Sequence, residues 1–207
     1  MRQRFEYVYN NKIWGDSSGG GSDMAVLGSF VEWLNGFIKH ENVETLLDFG
    51  CGMNGLGEHI VVPNYIGTDV VPSVVKYCKE NYQLDIRLSN GLPIIKADVL
   101  LVKDVLMHWN VEEINKFLQH ATKRYKHIVL VNCCNQTEDN PKLTNNHLSA
   151  MGLSYSFSPL RDYSPRLVMY LDKNKNDIKE VLLITNERQT SKSTAQDSGG
   201  KHRQYSI

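Results

Sequence analysis

Apolar positions follow two rhythms along this chain, and the two alternate. Val26, Phe30, Leu34, Phe37 and Ile38 recur at helical spacing and predict one amphipathic helix over residues 23–40, with Ser22 or Asp23 able to cap it. Residues 45–49 are a short apolar run that ends in Asp48 and a glycine turn. A short helix is predicted over 56–60 and a second strand over 64–68, which runs into Asp69. Pro72 opens a helix that continues to Asn81 and buries Val74, Val75 and Cys78. A third strand follows at 85–88, a turn at 90–93 and a fourth strand at 98–102. A helix over 111–123 then shows Ile114, Phe117 and Leu118 on one face, and 127–132 is a fifth strand.

Strands alternating with helices imply a parallel sheet covered on both faces. The remainder reads differently. Residues 135–166 are polar, carry Pro141, Pro159 and Pro165, and predict a long loop of the kind that serves as a lid or binding segment. Two apolar runs, 167–171 and 178–184, flank a polar stretch and predict a β-hairpin. Three segments result. Residues 1–22, polar and aromatic and then glycine-rich, form an N-terminal lid or loop; 23–187 form one α/β domain; 188–207, almost without apolar residues, form a disordered tail.

Composition narrows the function. With 207 residues the chain suits one domain with a sizeable core. Lys plus Arg number 23 and Asp plus Glu number 23, so there is none of the basic excess of a dedicated nucleic-acid binder. Cys51, Cys78, Cys133 and Cys134 lack metal-ligand spacing and are expected as free thiols in a reducing compartment. There is no signal-peptide pattern and no apolar run near the ~20 residues of a membrane span, so a soluble, cytoplasmic protein is expected.

The candidate chemistry begins at Asp48-Phe49-Gly50-Cys51-Gly52-Met53-Asn54-Gly55. Glycines directly after a strand let the backbone approach a ligand, and ligands bind at strand C-termini in open α/β sheets. Asp69, at the end of the second strand, stands where a carboxylate accepts hydrogen bonds from both ribose hydroxyls of an adenosine, and it can also cap the helix at Pro72. This pair of features fits NAD and S-adenosylmethionine alike.

The segment Leu46-Leu47-Asp48-Phe49-Gly50-Cys51-Gly52, with the C-terminal hairpin, resembles class I S-adenosylmethionine-dependent methyltransferases. It departs from their first motif at Asn54, where the next glycine is expected. The resemblance implies a Rossmann-like, mostly parallel seven-stranded sheet with helices on both faces and a C-terminal antiparallel hairpin. It implies S-adenosyl-L-methionine as cofactor and S-adenosyl-L-homocysteine as product. Asp48, Gly50, Cys51 and Gly52 would form the cofactor turn and Asp69 would hold the ribose. Val70, Asn90, Gly91 and Leu92 would line the adenine pocket. Lys103 would offer its backbone carbonyl near the sulfonium, with its ammonium turned away.

Lys103-Asp104-Val105-Leu106-Met107-His108-Trp109 and Tyr9-Asn10-Asn11-Lys12-Ile13-Trp14-Gly15 resemble a subgroup found among glycan and polysaccharide biosynthesis proteins, some of them viral proteins fused to glycosyltransferases. That likeness implies O-methylation of a sugar hydroxyl, a glycan or small-molecule acceptor, and a glycosyltransferase as partner or neighbouring domain. Methylation of another small molecule, or a catalytically silent cofactor-binding module, stands as the alternative. His108 is the candidate general base, because an imidazole titrates near neutrality. Asp104, four residues earlier, would share a helical face with it and orient it or bind the hydroxyl. Two such residues are too few for a metal site. Trp14 is expected either to fold over the cofactor or to pack on the core. His40, His59, His120 and His127 are expected to be exposed, and Tyr155, Phe157, Arg161, Asp162 and Tyr163 suit sugar stacking or loop packing equally.

Overall fold

The computed structural model describes residues 2–15, 18, 24–53, 55–143, 150–172 and 178–186. The described strands are β1 Thr45–Phe49, β2 Asn64–Asp69, β3 Asp85–Leu88, β4 Val99–Lys103, β5 His127–Cys133, β6 Arg166–Asp172 and β7 Ile178–Thr185. Four α-helices accompany them: α1 Arg2–Asn10, α2 Met24–Glu41, α3 Pro72–Asn81 and α4 Val111–Ala121. All seven strands join one sheet in the order β3-β2-β1-β4-β5-β7-β6. The first five pair in parallel, and β7 lies antiparallel between β5 and β6.

The unbroken apolar runs have a simple cause, since the central strands are covered on both faces. Leu46, Val99, Leu101, Val129, Val131, Val181 and Leu183 face Leu27, Phe30, Leu34 and Ile38 of α2. On the other face Leu47, Phe49, Leu100, Val102, Leu130 and Leu182 meet Ile114, Phe117 and Leu118 of α4. Helix α4 starts at a capping box: Asn110 Oδ1 accepts from the Glu113 N–H at 2.9 Å, and Glu113 Oε2 accepts from the Asn110 N–H at 3.1 Å. No helix among the described residues is long and apolar enough to cross a membrane.

Two expectations differ from the structure, and for the late loop one of the two alternatives is observed. The N-terminal segment is not all loop, because Arg2–Asn10 is helical. Arg2 and Glu6 pair at 2.9 Å one turn apart, Val8 is buried, and Phe5 and Tyr9 pack against the α3 cluster. His127 is buried rather than exposed. Its Nδ1 lies 3.1 Å from Thr185 Oγ1 and its ring meets Phe37 edge-on at 5.0 Å, and burial holds its pKa below the ordinary value. The long loop is tied to the sheet at residues 153–155. Glu180 of β7 accepts from the Ser154 hydroxyl and the Tyr155 N–H, both at 2.9 Å, and Gln136 Oε1 accepts from the Ser154 N–H at 2.8 Å. Tyr155 and Tyr163 therefore pack on the core, and Arg161 pairs with Asp139 at 3.0 Å. The glycines at 19–21, Asn54, the hairpin turn at 173–177 and the tail at 188–207 lie outside the described residues.

Candidate cofactor and acceptor site

Four of the parallel strands deliver their last residues to one place. Phe49, Asp69, Lys103 and Cys133, which end β1, β2, β4 and β5, all line a cavity of about 310 Å³, a size suited to a small molecule. At one end stands the turn after β1. The Gly50 and Cys51 N–H groups donate to the Thr68 carbonyl at 2.7 and 3.0 Å, which folds the turn back over β2. Gly50 and Gly52 have φ of 79° and 62°, and a Cβ at either would overlap the Val105 or Ser18 side chain. Gly52→Ala is therefore expected to cost about 1–3 kcal/mol, read as an earlier urea midpoint with unchanged slope.

Asp69 is buried beside this turn. Its Oδ2 accepts from the Gly52 N–H at 3.2 Å and its Oδ1 from the Val71 N–H at 2.9 Å. Burial pushes its pKa up, and these backbone donors partly offset the rise. Asp48 is buried more deeply, and burial pushes it up to about 6 against a hydrogen bond from Tyr65 Oη at 2.7 Å and the nearby charge of Lys103. Val70 also lines the cavity. Asn90, Gly91 and Leu92 do not. All three are exposed, and the residue from this stretch in the wall is Ser89. The Ser89 N–H donates to the Asp69 carbonyl at 2.7 Å, so strand-like pairing runs one residue past β3 and the turn begins only after it.

The N-terminal segment closes one side. Tyr9 Oη lies 2.8 Å from Ser18 Oγ, and Ser18 Oγ accepts from the Met53 N–H at 2.7 Å, tying this segment to the glycine turn. Trp14 lines the cavity and packs on Phe5, Tyr9 and His108, with ring centroids 6.1, 5.8 and 5.6 Å away. Trp14 thus joins an aromatic cluster in the cavity wall. The pair Phe5 and Tyr9, four apart, carried the signal that this segment is a helix facing the site.

A charged cluster lines the same cavity. Lys103 lines the cavity. It is buried in the wall and donates to Asp104 Oδ2 at 2.8 Å. Lys179, from the start of β7, approaches both Asp104 oxygens at 2.6 Å. Burial would raise the Asp104 pKa, but the charges of Lys103 and Lys179 and their hydrogen bonds outweigh it and hold the carboxyl below its ordinary value. Nor do Asp104 and His108 share a helical face. Asp104 sits at φ 56°, and only Leu106–His108 forms a 3₁₀ turn. The carboxylate expected to orient His108 is held by two lysines, while His108 packs on Trp14 and, edge-on at 5.6 Å, on Phe5. Lys179 was invisible to sequence reasoning because it lies 75 residues from Asp104. No group of three metal-ligating side chains exists among the described residues.

No protein-family model matches this chain, and neither does any curated protein. Solved structures do. Magnesium protoporphyrin IX methyltransferase from Synechocystis PCC 6803, with bound S-adenosylmethionine, superposes with a TM-score of 0.63 at 15% identity over 89% of this chain and 96% of that one. The chain has the methyltransferase fold. A DhpI–S-adenosylhomocysteine complex shares this fold with a TM-score of 0.59 at 8% identity, over 87% of this chain and 95% of that one. The N-terminal domain of EvdMO1, crystallised with S-adenosylhomocysteine and D-fucose, gives 0.56 at 10% identity, over 75% and 82%. The expected fold class is borne out: a seven-stranded, mostly parallel sheet closed by an antiparallel hairpin. In this methyltransferase fold the glycine turn and Asp69 stand side by side at the strand ends, and the cluster of Lys103, Asp104 and Lys179 lines the same cavity.

Proposed function

We propose that this protein is an S-adenosylmethionine-dependent methyltransferase that methylates a sugar hydroxyl. The observation that carries the cofactor is Asp69, a buried carboxylate bonded to the glycine turn at the mouth of the cavity. A neighbour of the same fold crystallised in the presence of D-fucose supports a sugar as acceptor.

The residues fit this chemistry. Asp69 keeps lone pairs for ribose hydroxyls after accepting from Gly52 and Val71. The positive φ at Gly50 and Gly52 opens the backbone to the cofactor's thioether side. The bound cofactor supplies an activated methyl group on a sulfonium. What remains for the chain is alignment and one proton. His108 lines the cavity and takes the proton from the acceptor hydroxyl. Asp104 stays ionised and holds the two lysines in place. Phe5, Tyr9 and Trp14 shield the site from water.

Calorimetric titration tests the reading. S-adenosylhomocysteine is expected to bind and NAD is not; NAD binding without S-adenosylhomocysteine binding overturns it. With an accepted sugar, His108→Ala is expected to lower kcat by about 10²–10⁴-fold while leaving the affinity for S-adenosylhomocysteine unchanged. Full turnover in that variant removes His108 as the base.

A further inference from the structure

We propose that Cys51 and Cys78 form an oxidation site: a peroxide joins them in a disulfide, and the joined turn loses its grip on the cofactor. The thiol chemistry stands by itself. Its consequence for the cofactor rests on the methyltransferase reading and adds a regulation of that site.

Cys51 belongs to the glycine turn and lines the cavity, whereas Cys78 sits on α3 and is only 2% exposed. Both are free thiols, and they pack in one cluster. The Cys78 thiol donates to the carbonyl of Gly52, the residue after Cys51, at 3.1 Å. The Cys51 sulfur lies over β2, where a Cβ on Gly67 would come within 3.2 Å of it. The two thiols also hydrogen-bond to each other, which keeps the proton on Cys51 and draws Cys78 below its ordinary pKa. Burial and the charges of Asp48 and Asp69 hold Cys51 up as well. A disulfide forms without backbone movement only between sulfurs already side by side, and these two are.

The step needs a two-electron oxidant of the hydroperoxide class. A peroxide oxygen bonds to the Cys51 sulfur as the O–O bond breaks, giving a sulfenic acid and one water. The Cys78 sulfur then attacks the Cys51 sulfur. The S–S bond forms, the S–O bond breaks, and the leaving hydroxide takes the Cys78 proton as a second water. Two thiols are oxidised and one peroxide is reduced to two waters. The first step is slow, because Cys51 keeps its proton and the thiolate is the reactive form. The second is fast, because Cys78 is the more acidic thiol.

The disulfide draws the sulfurs to about 2.05 Å and takes the S–H donor away from the Gly52 carbonyl. The turn has little slack to absorb this. Its Gly50 and Cys51 N–H groups are bonded to the Thr68 carbonyl, and its Gly52 N–H is bonded to Asp69. The disturbance therefore reaches Asp69, the carboxylate assigned to the ribose.

The test titrates reduced protein with S-adenosylhomocysteine, treats a second portion with millimolar hydrogen peroxide, removes the peroxide and titrates again. Mass spectrometry of unreduced peptides maps the linkage. A Cys51–Cys78 disulfide is expected, with affinity for S-adenosylhomocysteine lowered about tenfold or more and restored by a thiol reductant. Cys78→Ser keeps a donor for the Gly52 carbonyl and is expected to hold after peroxide the affinity it had before. The inference is overturned if no Cys51–Cys78 linkage forms, if the linked protein binds as tightly as the reduced one, if the reductant fails to restore binding, or if peroxide weakens Cys78→Ser as much as the parent. Titration of the parent in its reduced, oxidised and re-reduced forms decides the matter even if Cys78→Ser fails to fold. Failure of the reduced protein to bind S-adenosylhomocysteine overturns the methyltransferase reading and the loss of affinity with it, while the linkage map still decides the oxidation site.

Discussion

Replacing Asp104 by alanine is expected to remove about 3–5 kcal/mol of stability. The substitution deletes the one carboxylate that Lys103 and Lys179 share, and both lysines are more than nine-tenths buried. Against a typical reserve of about 5–15 kcal/mol, that loss moves the urea midpoint far to the left. Backbone strain adds to it, since Asp104 sits at φ 56°, a region Asp tolerates better than Ala. Asp104→Gly removes the same charge and relaxes the backbone, so it should lose less than Asp104→Ala. The pH dependence follows from the direction of the shift. Asp104 is held below its ordinary pKa, so its stabilisation is present above the unfolded-state value and lost as pH falls through the folded one. The acid limb of the unfolding curve should flatten in Asp104→Asn. A variant as stable as the parent would show that the lysines find other counter-charges.

Asp48→Asn is expected to act in the opposite direction. Asp48 is buried among β1, β2 and β4, and burial, only partly offset by Tyr65 and Lys103, pushes it up from 3.8 to about 6. Between those values the folded chain holds a proton that the unfolded chain has released. Raising the pH through that window therefore lowers stability, by up to about 3 kcal/mol at 1.36 kcal/mol per pKa unit. An asparagine keeps an acceptor for Tyr65 and carries no charge. The variant should gain about 2–3 kcal/mol at pH 7, with a smaller gain at pH 5 and none below pH 4. Equal stability at all three pH values would refute the account. An ionisable group that weakens the fold and also lines the cavity is the pattern expected of a working residue.

Much of the architecture was legible because local and global signals agree. Pro72 opens α3 where its fixed φ predicts, and the apolar runs of β1, β4 and β5 stand where a doubly covered sheet demands them. The placing of the glycine turn beside Asp69 was legible for the same reason, since Gly50, Gly52 and Asp69 lie on consecutive strand ends. The lysine–aspartate cluster was not. Lys179 enters through a strand that inserts between two others, and no local pattern says which side chain a distant strand will bring to a site. Asp104 was misjudged because its left-handed backbone breaks the helical spacing assumed from Asp104 to His108. Asn90 was misplaced by a single residue, because the pairing after β3 carries Ser89 to the cavity and the chain turns outward behind it.

The place of β7 also governs the order in which the molecule can be completed. β6 is synthesised before β7 but touches the sheet only through it. A ribosome delivering this chain must therefore release β6 with no neighbour to pair with, and β5, whose residues are buried on both faces in the finished protein, with one side bare. Such an open apolar edge invites pairing with other chains. Emergence of β7 closes that edge, docks β6 and brings Lys179 to Asp104 in one event, so the nascent sheet passes from an adhesive intermediate to a paired one at β7.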